Sequence, residues 1–149
     1  MLYQALDPET GDSVDQPRAS GTLFAAYFLS FVDPALSREL FEAVRRNQVR
    51  SFAGFGAIRE YPSGTPGETG DVDSGPIILG LSSSGTAFAL AGSRQNGDPE
   101  TFTALYRTLY LFGAPQPVGD RDTFLIGGPL GNALFFALLT ANRPEEEHS

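Results

Sequence analysis

The densest group of residues able to do chemistry runs from Arg59, Glu60 and Tyr61 to Asp71, Asp73 and Ser74. Neighbouring carboxylates can have their proton affinities pushed apart, so that one stays protonated as an acid while the other stays ionised. A pair of this kind suits cleavage of a glycosidic bond. In that reading Asp73 is the acid, Asp71 and Glu60 stand beside it, and Arg59, Tyr61 and Ser74 orient a bound small molecule. The plainer reading makes Asp73 and Ser74 the cap of a buried helix that follows them, because an oxygen there accepts free backbone N–H groups and meets the positive helix end.

Several other chemistries are excluded. Cysteine is absent, which removes thiolate nucleophiles, disulfides and thiolate-bound metals. The single histidine, His148, lies next to the end of the chain, so a serine–histidine pair has no base to draw on. All ten basic residues are arginine, which leaves no lysine for Schiff-base or phosphate-loop chemistry. Counted from Asp71, a calcium-binding loop would need oxygen ligands at Gly75 and a carboxylate at Ser82, so no metal is expected, nor any other cofactor. Gly54-Phe55-Gly56 lacks the third glycine of a dinucleotide fingerprint, and the serines at 82–84 miss the spacing of a nucleophile elbow. The formal net charge is −8, with Glu145, Glu146 and Glu147 supplying three of those charges. Without clustered positive charge, nucleic acid is not an expected partner.

Helices must position these groups. Asp33-Pro34 and Asp98-Pro99 each place a capping carboxylate ahead of a proline at the first helical position. The first starts an amphipathic helix over 34–47, with Leu36, Leu40, Phe41 and Val44 on one face and a Glu42–Arg46 pair on the other. The second starts another over 99–112, with Phe102, Leu105, Tyr106 and Leu109 as its stripe, ended by Gly113 and Pro115. Segments 20–32, 76–93 and 129–142 are apolar nearly all round and predict helices buried on most sides. The last two raise the question of a membrane span, but their Gly, Ser, Thr and Pro content favours buried core helices and a soluble chain. No signal peptide is visible in residues 1–15, and the compartment stays open. Segments 48–71 and 113–128 read as long loops, with 49–58 apolar enough to form a short helix or pack down.

The pattern repeats. Ser20-Gly21-Thr22-Leu23-Phe24-Ala25 recurs as Ser84-Gly85-Thr86-Ala87-Phe88-Ala89, and Asp33-Pro34 recurs as Asp98-Pro99. A unit that cannot bury its own apolar face must stack on its neighbours. Residues 1–143 are therefore expected to form one all-α domain of repeated αα-hairpins, a segment of an α/α toroid, followed by a flexible acidic tail over 144–149. An inner helix left uncovered would present an apolar patch, so the expected partner is another copy or the missing part of a larger ring.

Asp71-Val72-Asp73-Ser74 resembles the Asp-x-Asp-Asp segment of class II terpene cyclases, whose middle Asp protonates an alkene; Asp73 matches that residue, and Ser74 stands where the family has its last Asp. By overall pattern the chain also resembles the C-terminal part of uncharacterised bacterial proteins with a Gly-Asp-x-Asp-Ser-Gly-Pro signature, similar in layout to linalool dehydratase and to six-hairpin glycosidases. The resemblance implies a toroid-type enzyme, a glycoside hydrolase or a cyclase or dehydratase acting on an isoprenoid-like molecule, with acidic residues at the mouth of the inner helices. The isolated residues imply instead a binding or scaffold module in which the same groups cap helices.

Overall fold

The computed structural model describes residues 1–65 and 77–142. Asp71, Asp73 and Ser74 of the expected acidic site lie outside the described residues, as does the tail expected after residue 143. Helices α1 (Ala19–Leu29), α2 (Pro34–Gln48), α3 (Ser83–Gln95), α4 (Pro99–Phe112) and α5 (Gly128–Leu139) alternate with strands β1 (Val49–Phe52), β2 (Phe55–Arg59), β3 (Ile77–Ile78), β4 (Leu81–Ser82), β5 (Pro115–Val118) and β6 (Arg121–Phe124). β1, β2, β4 and β3 form a four-stranded antiparallel sheet in that order, and β5 and β6 form a two-stranded one.

These sheets overturn the all-α expectation, and with it the α/α toroid: the fold is mixed α/β. β1, β2, β5 and β6 occupy the two segments expected to be loops, β3 and β4 take the start of the segment expected to be a helix over 76–93, and the reason lies in their turns. Residues 53–54 and 79–80 are two-residue hairpin turns in which both positions have positive φ, 51° and 83° at Ala53 and Gly54 and 55° and 77° at Leu79 and Gly80. That geometry matches the twist of a hairpin, but its usual signal is Asn-Gly or Asp-Gly. Ala-Gly and Leu-Gly do not announce it. β5 hides behind two prolines. Pro115 and Pro117 share one phase of the strand, opposite Phe124 and Asp122, so the ladder bonds fall at Gln116 and Val118 and neither missing N–H is needed.

The helices start close to where the sequence puts them. Asp33 accepts from the Leu36 N–H at 3.0 Å and Asp98 from the Thr101 N–H at 3.1 Å, each followed by proline at the first turn. α3 differs. It begins at Ser83, capped by the Ser82 hydroxyl, which accepts from the Gly85 N–H at 3.0 Å. Hairpin β3–β4 thus stands between residues 71–74 and the helix they were expected to cap. Glu42 pairs with Arg45, not with Arg46, and Arg45 reaches on to Asp98 at 3.6 Å, joining α2 to the cap of α4.

The core sits around α3, which packs on α1, α2, α4, α5 and β2. Phe41, Val44, Leu90, Leu105, Leu138 and Ile58 are fully buried there. Two glycines let backbones approach. A Cβ on Gly92 of α3 would lie 2.4 Å from the Phe41 ring of α2, and one on Gly56 of β2 would lie 2.9 Å from Ala104 of α4. Gly54 and Gly56, read above against a nucleotide motif, therefore serve a turn and a strand–helix contact. At the far end Tyr110 of α4 donates to Asp122 of β6 at 3.0 Å, and that bond, with the carboxylate's charge, holds the phenol pKa above its ordinary value.

α1 and α5 depart most from expectation. Both were read as buried on most sides, yet Phe24, Phe28, Phe31 and Val32 on and after α1 are exposed, and in α5 only Leu138 is buried. Among the described residues no helix is long and apolar enough to cross a membrane.

Two substitutions test these assignments. Gly92→Ala should destabilise the fold by about 1–3 kcal/mol in urea denaturation, although alanine favours a helix, because its methyl group enters the Phe41 ring. Leu79→Asn should stabilise by roughly 0.5–1 kcal/mol and raise the melting temperature by about 1–4 °C, since asparagine tolerates the left-handed conformation that strains an exposed leucine.

Candidate functional site

Glu60 follows β2 and is fully buried. Its backbone N–H donates to the Gly80 carbonyl at 3.0 Å, and its own carbonyl accepts from the Ala19 N–H at 2.9 Å. Its carboxylate accepts from the Ser20 N–H at 3.3 Å and from the Ser20 hydroxyl. α1 lacks a cap of its own, because Arg18 at its N-cap makes no side-chain capping bond. Glu60 therefore caps α1 from another element, placing a carboxylate against the positive helix end and satisfying donors that burial would otherwise orphan.

The two neighbours of Glu60 make contacts of their own. Tyr61 is buried, and the Arg18 guanidinium lies 5.6 Å from its ring centroid. Arg18 also pairs with Asp15 at 2.8 Å. Arg59 is half-buried and donates to the Ser63 hydroxyl. Of the expected site residues within the described part of the chain, only Glu60 reaches the amino end of an inner helix through its charged group.

Three polar residues missed in the sequence carry out a common task. The Thr22 hydroxyl donates to the Arg18 carbonyl at 2.6 Å and accepts from the Leu2 N–H at 2.8 Å. The Thr86 hydroxyl donates to the Ser82 carbonyl at 2.6 Å and accepts from the Ile58 N–H at 3.1 Å. The Asn132 amide donates to the Gly128 carbonyl at 2.7 Å and accepts from the Phe124 N–H at 2.8 Å. Each side chain bonds back four residues along its helix and takes an extended segment onto the first turn. Thr22 and Thr86 occupy matching places in the repeated Ser-Gly-Thr, so a signal existed. Asn132 shares no such motif and is found only in three dimensions. Antiparallel pairing also precedes each of these helices: the bridges Tyr3–Pro17 and Leu6–Ser13 before α1, β3–β4 before α3 and β5–β6 before α5.

At the opposite ends of α3 and α5 lies an open hollow lined by Arg94, Gln95, Gly97, Ala141 and Asn142. Among its described lining residues Arg94 is the one charged group, which provides no acid–base pair. Among the described residues no group of three or more His, Cys, Asp or Glu side chains could hold a metal ion.

Glu60→Ala should cost about 2–4 kcal/mol of stability, because it strands the Ser20 N–H and hydroxyl in the interior, whereas Glu60→Gln keeps an acceptor and should cost about 1 kcal/mol. Chemical denaturation of the two variants side by side measures the difference.

No protein-family model matches the chain, and a search of the curated proteins finds no match.

Proposed function

We propose that this domain is a protein-interaction module whose docking surface is the uncovered apolar side of α1 and α5. The observation that carries this reading is the pairing of two helices that contain no charged residue with large side chains left in solvent: Phe24, Phe28 and Phe31 on the α1 side, and Leu130, Leu134 and Phe136 on α5. Large apolar side chains clustered on a helix cost free energy when left in water, and such clusters mark interaction sites. The local structure beneath it is well satisfied, with Glu60 and the Thr22, Thr86 and Asn132 bonds holding the inner helices at their first turns. That arrangement supports a scaffold that presents a face, and it engages the carboxylate of Glu60 in capping.

The test is binding of the dye 8-anilinonaphthalene-1-sulfonate to the folded chain, at dilutions where it sediments as a monomer. The wild-type chain should enhance the dye's fluorescence, and Phe28→Ser combined with Leu130→Ser should reduce the signal roughly twofold without lowering the melting temperature. A folded chain that leaves the dye dark, or a double variant that binds it equally, would contradict the assignment.

A further inference from the structure

Phe24 and Phe88 are the same residue of the repeat, at the same place after Ser-Gly-Thr, and their surroundings differ in one respect. Phe88 is 8 % exposed and Phe24 is 51 % exposed. Phe88 is covered because the helix one unit earlier lends it two aromatic rings. Phe24 meets it edge-on with centroids 5.2 Å apart, and Tyr27 lies 6.0 Å away. No equivalent helix of the described chain stands before α1 to cover Phe24 in its turn.

α5 supplies what is missing. It packs on α3, which in turn packs on α1, and its first turn is fastened by Asn132 in the way that Thr22 and Thr86 fasten theirs. It is thus a third inner helix, and its uncovered side offers Leu130, Leu134 and Phe136. From these observations, and resting on the docking-surface reading above, we infer that the partner is a second copy of this chain, joined head to tail. The α5 side of one copy covers Phe24 of the next, as α1 covers Phe88 within the chain. The contact is heterologous, with two different surfaces meeting, so the assembly keeps one free α1 side at one end and one free α5 side at the other.

The area suffices. Taking about 200 Å² for a fully exposed aromatic side chain, Phe24, Phe28 and Phe31 leave about 300 Å² uncovered, and Val32 raises this to about 400 Å². At the usual apolar share of an interface this corresponds to about 700 Å² on one partner, close to the roughly 800 Å² of a standard interface. Both sides are uncharged along their helices, so apposition strands no charge.

Sedimentation velocity on the full chain and on two single variants provides the test. The wild-type chain should associate as its concentration rises. Phe24→Glu spoils the α1 side alone and Phe136→Glu the α5 side alone, so each should sediment as a monomer. An equimolar mixture of the two should recover a species of twice the monomer mass, because one intact α5 side and one intact α1 side remain between them. Circular dichroism checks that each variant is folded, and Phe28→Ser with Leu130→Ser, as separate single variants, replaces a pair that is not. A two-fold symmetric dimer would lose association with one variant only, or fail to recover on mixing, and either result overturns the head-to-tail arrangement. A wild-type chain that stays monomeric at all concentrations while still binding the dye overturns the second copy as partner and leaves the docking surface standing. A monomer that does not bind the dye removes both.

Discussion

A fully buried carboxylate organises the amino-terminal side of this molecule. Glu60 has left water completely, and a group of that kind is tolerated only where its oxygens are met by donors. The donors come from the first turn of α1, whose own N-cap residue supplies no acceptor to cap them. The same residue is bonded through its backbone to Ala19 on one side and to the turn at Gly80 on the other. One position therefore fixes α1, the end of β2 and the β3–β4 hairpin relative to one another. Once α1 is held there, its side chains reach α3, and the central helix acquires the rings that cover Phe88.

From that constraint a layered order follows. α3 is enclosed on nearly every side, and the close approach at Gly92 shows how tightly α2 is drawn in against it. The amphipathic helices α2 and α4 close the outer side, each entered through an Asp-Pro cap. α1 and α5 flank α3 and are only half covered. Apolar side chains on both remain in solvent, and among the described helices α3 alone has one of its kind on both sides.

Some of the fold was legible in the residues. Asp33-Pro34 and Asp98-Pro99 mark the two outer helices because a cap acts within a single turn, and the repeated Ser-Gly-Thr marks two inner ones. The hairpins were not legible. Ala53-Gly54 and Leu79-Gly80 adopt a left-handed turn whose non-glycine member carries no signature, and prolines 115 and 117 argue against a strand unless their phase in the ladder is known. The candidate site was legible in part. Glu60 stood out as a carboxylate with a charged neighbour, but its partner Ser20 lies forty residues away, and no local pattern connects them.

The sequence by itself determined the amphipathic periodicity of the outer helices, their caps, the exclusion of thiol chemistry and the existence of a repeat, because each depends on residue type or on spacing along the chain. Tertiary structure decided the rest. It determined where the strands pair, since β2 meets β4 across more than twenty residues and the hairpin turns carry no signature of their own. It determined that Glu60 caps α1 across the chain, since burial converts a free acid into an obligatory acceptor. It also determined which apolar residues stay in water. Phe24 and Phe88 are the same residue in the same motif, and the presence or absence of a neighbouring helix alone separates a core side chain from an exposed one.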